Sequence, residues 1–288
     1  MREHIERNLF DMPTMEEIRQ LKATALQLRR DALTALYHAG SGHPGGAMSM
    51  TEILTVLYFK EMNIRPEQPD WADRDRFVLS KGHACPTYYA ALARRGYFDV
   101  EVLNTLRKAD SILQGHPDMG KTPGVDMSTG SLGQGLSAAA GMALYAKKQG
   151  KDFRVYCILG DGECAEGQIW EAAMSAAHFG LNNLVAFLDA NHLQIDGRVD
   201  DVMNIYPMDE KFRAFGWTVL ETDGHSIPQL IHAVELAKCS DKPVFILCHT
   251  TKGKGVSFME DRADWHGAAV TKDVLDRAMA ELDGKERV

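Results

Sequence analysis

An aspartate and an asparagine occupy positions where oxygen ligands can meet at one edge of a sheet. Asp161 lies between two glycines in GDG, Asn191 follows about thirty residues later, and each comes directly after an apolar run. A carboxylate, an amide oxygen and a main-chain carbonyl just past Asn191 are hard ligands of the kind Mg²⁺ prefers, and phosphate oxygens can complete its octahedron. Asp-Gly also favours an ordinary turn between a strand and a helix. The asparagine at a second strand end favours the metal site over the turn alone.

Four histidines lie in short motifs rich in glycine or proline, which fix a side chain at the edge of a loop. They are His43 in SGHPGG, His83 in SKGHA, His116 in QGHPD and His266 in DWHG. Imidazole has a pKa of about 6.5, so it can donate to a phosphate or a hydroxyl and can move a proton near neutral pH. One such histidine alone is more often a turn cap, but four in one chain favour a site for a polar ligand. His225, in DGHS, is predicted to belong to a turn before a helix.

Two glycine-rich segments resemble nucleotide-binding motifs but do not match them. In TGSLGQG (129–135) the glycines do not have the G-x-G-x-x-G order, and polar DMST rather than a strand precedes them. The segment 253–255 (GKG) lacks the first glycine and the following Ser or Thr of a P-loop. Small residues at the start of a helix instead allow the main chain to approach a planar ring or another subunit closely.

The elements that must position these residues alternate along the chain. Strands are predicted from short apolar runs at 76–80, 154–160, 183–190, 217–223 and 243–250. Helices are predicted at 87–95, 131–149, 166–180, 226–239 and 271–283. This pattern is typical of an α/β fold, and we predict a doubly wound, mostly parallel sheet with helices on both faces. Its ligand cleft should lie at the carboxyl ends of the strands, where the motifs stand.

Two helices are predicted before the first strand. Thr14 and Glu17 have the spacing of a capping box, and Gly40 is a natural helix stop. Ser49 and Glu52 repeat the capping pattern ahead of a second helix that runs to about residue 63. The first ten or so residues are polar, and we expect them to be frayed or to lie on a neighbouring molecule.

Composition limits the classes of function. The chain has 288 residues, of which 45% are hydrophobic and 25% charged, and its net charge is −8. This is typical of a globular protein and has the wrong sign for one that mainly binds nucleic acid or anionic lipid. No linker divides the sequence, so we predict one domain over 1–288. It has no secretion signal, no membrane-spanning run and no C-x-x-C pair among five cysteines, which predicts a cytoplasmic protein with reduced thiols.

The motifs together are similar to those of one enzyme family. SGHPGG, LSKGHA, GHPD, TGSLGQG, GDGE-x-x-EG, N-x-L-x-IDG and WHGA occur in the order found in transketolases, which are thiamine-diphosphate enzymes. The resemblance runs from about residue 20 to about residue 270. It implies the family's diphosphate-binding (PP) fold, with thiamine diphosphate and Mg²⁺ as cofactors, the metal being replaceable by Ca²⁺ or Mn²⁺.

The resemblance also implies roles for individual residues. The implied metal ligands are Asp161, Asn191 and the carbonyl of Leu193. Cofactor contacts are implied for Lys81, His83, Gly162, Asn191, Lys252 and His266 near the diphosphate, and for the main chain of Gly130, Ser131 and Leu132 near the aminopyrimidine. Substrate hydroxyl contacts and proton transfer are implied for His43, His116 and His266. Glu166 resembles the family acid that communicates between paired active sites, although an acid in the first turn of a helix is also favoured by the helix dipole.

The chain differs from a complete transketolase in length. The family continues into a pyrimidine-binding domain and a third domain, which carry the glutamate that activates the cofactor and the groups that hold the sugar phosphate. This sequence stops shortly after WHGA, so we expect the N-terminal subunit of a split transketolase. A C-terminal partner subunit would complete it, as a heterotetramer that transfers a two-carbon ketol unit from a ketose phosphate to an aldose phosphate. The isolated chain is expected to have negligible activity.

Three alternatives stay open at this point. The chain could belong to another thiamine-diphosphate enzyme, such as a 1-deoxyxylulose-5-phosphate synthase or the alpha component of a 2-oxo acid dehydrogenase. It could be a regulatory subunit without chemistry, although the intact metal and histidine motifs argue against that. It could also be one domain of a longer enzyme, which the initial Met and the charged terminal helix make less favoured. Pentose phosphates are the default substrates, with branched or sulfonated sugars as further candidates.

Overall fold

The computed structural model describes residues 13–286, so the expectation for the first ten or so residues lies outside the described part. The main strands are β1 (Arg76–Leu79), β2 (Val155–Gly160), β3 (Leu184–Ala190), β6 (Thr218–Asp223) and β7 (Val244–His249). They form one parallel sheet in the order β1-β2-β3-β7-β6. A separate antiparallel hairpin consists of β4 (Leu193–Gln194) and β5 (Gly197–Arg198). The predicted parallel sheet is confirmed, and each predicted strand end lies within one residue of the observed one.

Ten α-helices surround the sheet in the described part of the chain. They are α1 (Met15–Ala39), α2 (Pro44–Ser49), α3 (Thr51–Val56), α4 (Cys85–Arg95), α5 (Gly135–Lys148), α6 (Gly167–His178), α7 (Val199–Val202), α8 (Met208–Ala214), α9 (Ile227–Lys238) and α10 (Lys272–Glu286). A π-helical turn covers Leu57–Glu61, and short 3₁₀ turns cover Gly82–Ala84, Val100–Thr105, Gly162–Ala165 and Ala263–Trp265.

Alternate residues of the strands pack into two separate cores, one on each face of the sheet. In β2, Tyr156 and Ile158 enter the core built with α1, α3, α4 and α9. Cys157 and Leu159 enter the core built with α5, α6 and α8. Because successive side chains of a strand point to opposite faces, this pattern requires cover on both sides. The predicted doubly wound arrangement is therefore confirmed.

The first helix begins and ends where the sequence predicts. The N–H of Glu17 donates to Thr14 Oγ1 at 3.2 Å, and the N–H of Thr14 donates to Glu17 Oε2 at 2.7 Å, which completes a capping box. Gly40 follows α1 in the left-handed conformation with φ of 69°. Its missing Cβ makes that conformation easy to adopt.

The second predicted capping box, at Ser49 and Glu52, is wrong. The chain already turns helical at Pro44, where a proline at the first helical position supplies a suitable φ, and Ser49 is the last residue of α2. The Ser49 hydroxyl lies 2.5 Å from Asp189 Oδ2, and Glu52 pairs with Arg29. Both side chains are therefore committed to buried polar contacts rather than to a cap.

The helix predicted at 131–149 begins four residues later than expected. Gly130 and Gly133 have φ values of 142° and 83°, which a right-handed helix does not allow. The segment before Gly135 is therefore a loop at the sheet edge.

All five cysteines lie in the described part, and none forms a disulfide. No helix among residues 13–286 is both long and apolar enough to cross a bilayer.

Candidate functional site

The loops after β1, β2, β3 and β7 converge on a cleft of about 240 Å³ at the carboxyl edge of the sheet. Twelve of the predicted site residues line it, namely His43, Lys81, His83, His116, Gly130, Leu132, Asp161, Gly162, Asn191, Leu193, Lys252 and His266. Ser131 and Glu166 are outside this lining and are exposed. Gly160, the glycine before Asp161, also lines it, and the lining residues that sequence reasoning missed are Gly46, Glu163, Gln194 and Ile195.

Asp161 is buried at the end of β2, where it begins the 3₁₀ turn that follows. Its carboxylate accepts hydrogen bonds from the main-chain N–H of Gly162, at 2.7 Å, and of His192. Burial and the nearby charge of Asp189 raise the pKa of Asp161 to about 7. A buried carboxylate held only partly ionised at neutral pH is a strong acceptor for a cation.

Asn191 and Leu193 present two further oxygens to the same cleft. The Asn191 amide donates to Asp189 Oδ2 at 3.0 Å, and its Oδ1 accepts from the N–H of Leu193 at 3.1 Å. These bonds fix which end of the amide carries oxygen. Within residues 13–286 no group of three or more His, Cys, Asp and Glu side chains is arranged to hold a metal. Asp161, Asn191 and Leu193 together offer one carboxylate, one amide oxygen and one carbonyl. This is too few for the octahedral coordination of Mg²⁺, so oxygens of a bound molecule would have to complete the set.

Asp189, which sequence reasoning missed, is a buried acid that connects several of the segments around the cleft. It is completely buried in β3 and contacts the Lys81 ammonium, the Thr250 hydroxyl and the Ser49 hydroxyl. Burial opposes its ionisation, but Lys81 and these hydrogen bonds outweigh burial and lower its pKa. Lys81 therefore lines the cleft while its ammonium is paired with Asp189. The signal in the sequence was an acid inside an otherwise apolar strand.

The four predicted histidines form one cluster. The ring centroid of His43 lies 5.1 Å from that of His83, 6.4 Å from that of His116 and 5.5 Å from that of His266. Burial, reinforced by Arg107, lowers the pKa of His43 to about 4, and burial together with Lys252 does the same for His266. Burial and Lys81 lower the pKa of His83 to about 2. These rings are neutral at pH 7 and can each both donate and accept a hydrogen bond.

Lys252 is the second buried cation of the cleft. Its Nζ lies 3.3 Å from the carbonyl oxygen of Leu193 and 3.0 Å from Nδ1 of His266. Burial and the proximity of Lys81 lower the pKa of Lys252 to about 8. A buried lysine and a carboxylate with a raised pKa in one cleft suit an anion that is carried with a metal ion.

Glu163 holds the loops around the cleft together. It is buried and accepts hydrogen bonds from the Ser80 hydroxyl, from the N–H of Gly133 at 2.9 Å and from the N–H of Gly160 at 3.0 Å. It thereby links the exits of β1 and β2 to the loop before α5. A Cβ built on Gly130 would lie 3.0 Å from the His116 ring, so this loop packs its main chain directly on a site histidine.

Glu166 lies next to this loop rather than in the cleft. It is the exposed residue before α6, where its side chain makes no capping hydrogen bond. A Cβ on Gly133 would approach the Glu166 Cβ to 2.6 Å, so the loop and the helix end are in contact. The role that the resemblance implies for Glu166 stays a prediction.

Comparison with known proteins identifies the family. The family described as "Transketolase, thiamine diphosphate binding domain" matches residues 20–285. A 6-deoxy-6-sulfo-D-fructose transketolase subunit of Clostridium sp. (strain MSTE9) is 47% identical over 264 residues, which is 91% of this chain and 96% of that one. An apulose-4-phosphate transketolase subunit of Phocaeicola vulgatus is 40% identical, over 92% and 95% of the two chains. The chain belongs to the transketolase family, as its thiamine-diphosphate-binding part.

Longer relatives share only this part. Human transketolase is 42% identical over 278 residues, which is 95% of this chain and 44% of that protein. The structure of Campylobacter jejuni transketolase superimposes with a TM-score of 0.87 at 34% identity, over 91% of this chain and 42% of that one. The chain thus spans less than half of these longer transketolases but nearly the whole of the two shorter relatives.

Proposed function

We propose that this chain is the N-terminal subunit of a two-subunit transketolase and binds Mg²⁺ with the diphosphate of thiamine diphosphate. The observation that carries the proposal is one cleft that joins the buried Asp161, the oxygens of Asn191 and Leu193, and four histidines from separate loops. The near full-length match to proteins named as transketolase subunits supports the division into two chains.

The cleft fits these cofactors in its chemistry. Asp161, Asn191 and the Leu193 carbonyl would hold the metal ion, and its diphosphate partner would lie near His83, Gly162 and His266. Nδ1 of His43 and Nε2 of Gln194 are buried in the cleft without a hydrogen-bond partner among the described residues, as expected of groups that face a polar ligand. When bound, thiamine diphosphate supplies the ring that takes up electrons as a ketose carbon–carbon bond breaks.

The protein's part is to bind, orient and move protons. His43, His116 and His266 would hold hydroxyl groups of the sugar, because neutral imidazoles can donate to one oxygen and accept from another. The proton on a hydroxyl next to the cleaved bond would pass to one of these rings. Gly130, Ser131 and Leu132 would present their main chain to the cofactor ring. Lys252 would balance part of the anionic charge, and Lys81, whose ammonium is paired with Asp189, would contribute as a contact rather than as an uncompensated charge.

The remaining parts of the proposal concern assembly and substrate. We propose that residues 1–288 form one domain in a cytoplasmic heterotetramer, with a C-terminal subunit that supplies the pyrimidine-binding and third domains. The donor would be a ketose that carries a phosphate or sulfonate at its far end, since the relatives are named for 6-deoxy-6-sulfo-D-fructose and for apulose 4-phosphate. Pentose phosphates belong to the same class. Residues of the partner subunit would then determine which of these phosphorylated or sulfonated sugars binds.

Replacement of Asp161 tests the cofactor site. Asp161→Asn keeps the shape of the side chain and its acceptor oxygen but removes the charge that the metal ion needs. In calorimetry with Mg²⁺, we expect its Kd for thiamine diphosphate to rise at least ~100-fold, or about 2.7 kcal/mol. Where the isolated chain binds too weakly to measure, the reconstituted pair of subunits is used.

Asp241→Asn is the matched control, because Asp241 is exposed just before β7, at the opposite edge of the sheet. It should bind as the unmodified chain does. Magnesium-independent binding, or an unchanged Kd in Asp161→Asn, would show that the metal site has been placed wrongly.

A further inference from the structure

The loop 251–255, which carries Lys252, is held at its main chain by three separate elements. The N–H of Thr251 donates to Nε2 of His225 at 2.8 Å. The N–H of Gly253 donates to the carbonyl of Gly45 at 3.0 Å, and the carbonyl of Lys254 accepts from Nε of Arg29 at 2.8 Å. The path of this loop is therefore set from outside the cleft.

Two of those contacts come from one buried network behind the cleft. Arg29 on α1 donates to both oxygens of Glu52 on α3, at 2.5 and 2.8 Å, and both side chains are at most 10% exposed. Nδ1 of His225 lies 2.9 Å from Glu52 Oε2. Burial opposes ionisation of Glu52, but Arg29 and His225 outweigh it and hold its pKa at about 2. A permanent carboxylate thus faces one ring nitrogen of His225.

These contacts fix the tautomer of His225. Nε2 accepts the N–H of Thr251, so it carries no proton there, and Nδ1 must carry the proton that is donated to Glu52. Either the other tautomer or the doubly protonated ring would set two N–H groups against each other at Thr251. The ionised Glu52 selects the tautomer that holds the loop.

We propose that Arg29, Glu52 and His225 are positioning residues that hold Lys252 against the Leu193 carbonyl and His266. The proposal rests on the function proposed above, because the value of that placement is to prepare the metal and diphosphate site. Lys252 follows Thr251 directly in the chain, and its Nζ lies within 3.3 Å of both the Leu193 carbonyl and Nδ1 of His266. None of the three positioning residues lines the cleft. Apolar residues of similar volume would fill the same space at no desolvation cost, so a buried charged network here calls for a role beyond packing.

Two substitutions of His225 separate its two hydrogen bonds. His225→Gln places an amide oxygen where Nε2 was, so it keeps an acceptor for Thr251 and loses the donor to Glu52. His225→Asn places an amide N–H near Glu52 and leaves Thr251 without a partner. In calorimetry with Mg²⁺, we expect His225→Asn to weaken thiamine diphosphate binding about tenfold and His225→Gln to change it less than about threefold. Equal weakening by both variants would overturn the proposal.

A double-substitution cycle tests whether the effect passes through Lys252. In the Lys252→Met background, His225→Asn should weaken binding by less than about threefold, because the group that it positions is already gone. A full tenfold effect in that background would overturn the proposal. Hydrogen exchange of the peptide 250–256 without cofactor gives a separate measure, since the Thr251 N–H should exchange faster in His225→Asn than in His225→Gln.

The unmodified chain supplies a test that survives if a variant does not fold. Nitrogen chemical shifts of the His225 imidazole should show a protonated Nδ1 and a bare Nε2, and the opposite tautomer would overturn the proposal. Failure of the unmodified chain and of the reconstituted pair to bind thiamine diphosphate would overturn the proposed function instead. The tautomer and the exchange rates would still decide the positioning of the loop.

Discussion

Asp189 shows how a single buried charge organises the sheet edge. It is fully buried, and the Lys81 ammonium is its counter-ion. Breaking a buried pair from one side leaves the other charge uncompensated, which costs several kcal/mol. Lys81→Met should therefore lower the free energy of unfolding by about 3 kcal/mol in urea titrations at pH 7.

Lys151→Met is the control for that change, because Lys151 forms an ion pair with Asp73 at the surface. Such pairs contribute little to stability, so its unfolding midpoint should stay close to that of the unmodified chain. An unchanged unfolding midpoint in Lys81→Met would mean that Lys81 is not needed to compensate the buried charge of Asp189.

His43 gives the cleft a defined response to pH. Its pKa is about 4 in the folded chain, because of burial and Arg107, and about 6.5 when exposed. Between these values the unfolded chain binds the additional proton, so the His43 contribution to stability falls as the pH drops from about 6.5 to 4. The unmodified chain should therefore lose more stability between pH 7 and pH 5 than the His43→Asn variant does. The expected difference is about 1 kcal/mol, after allowance for partial solvent access.

His178→Asn serves as the comparison, since His178 is exposed at the end of α6. Between pH 7 and pH 5, the His43→Asn variant should lose less stability than the His178→Asn variant. Asp161 acts in the opposite direction, because its raised pKa means that the folded state holds a proton that the unfolded state releases above pH 4. The difference between the variants, rather than the absolute slope of stability against pH, therefore measures the contribution of His43.

At the scale of elements, glycines set the path of the loop before α5, a segment whose sequence pattern predicts helix. Gly130 has a φ of 142°, and an added Cβ would press on the His116 ring at 3.0 Å. Gly130→Ala should destabilise the chain by about 1–3 kcal/mol, because it adds backbone strain to a close contact. Unfolding in urea measures the loss.

Gly141→Ala makes the opposite prediction within the same region. Gly141 lies inside α5, and apart from its chain neighbours and the backbone of its own helix no atom lies within 4 Å of an added Cβ. Alanine there should stabilise the chain by about 0.5–1 kcal/mol, because it has the higher helix propensity. If Gly130→Ala also stabilises, the left-handed loop is not a constraint on the fold.

At the scale of the whole molecule, the cleft lies on one edge of a sheet that is covered on both faces. The chain matches nearly all of two proteins named as transketolase subunits and less than half of complete transketolases. The pure chain should transfer two-carbon units at a negligible rate, and an added C-terminal partner should restore transfer. A coupled assay for the aldose product, with each of the two chains by itself as a control, measures this. Robust turnover by the pure chain would contradict the split.

The sequence predicted the strands to within one residue, and most of the residues that it singled out line one cleft. Apolar runs bounded by Asp161, Asn191 and Lys252 carry a local signal, since each polar loop follows directly on its strand. The parallel sheet then requires these loops to share one edge. The cap assigned to Ser49 failed because a buried contact with Asp189, 140 residues away, outweighs a local hydrogen-bonding pattern.

Local order in the chain was enough to determine the α/β fold, the helix start after Thr14 and most of the residues that line the cleft. Only the tertiary structure decided which charges neutralise each other and which protons stay bound. Asp189 with Lys81, and Glu52 with Arg29 and His225, join segments that are distant in sequence. The physical reason is that desolvation and Coulomb interactions depend on distance in space, whereas hydrophobic periodicity and capping depend on neighbours along the chain.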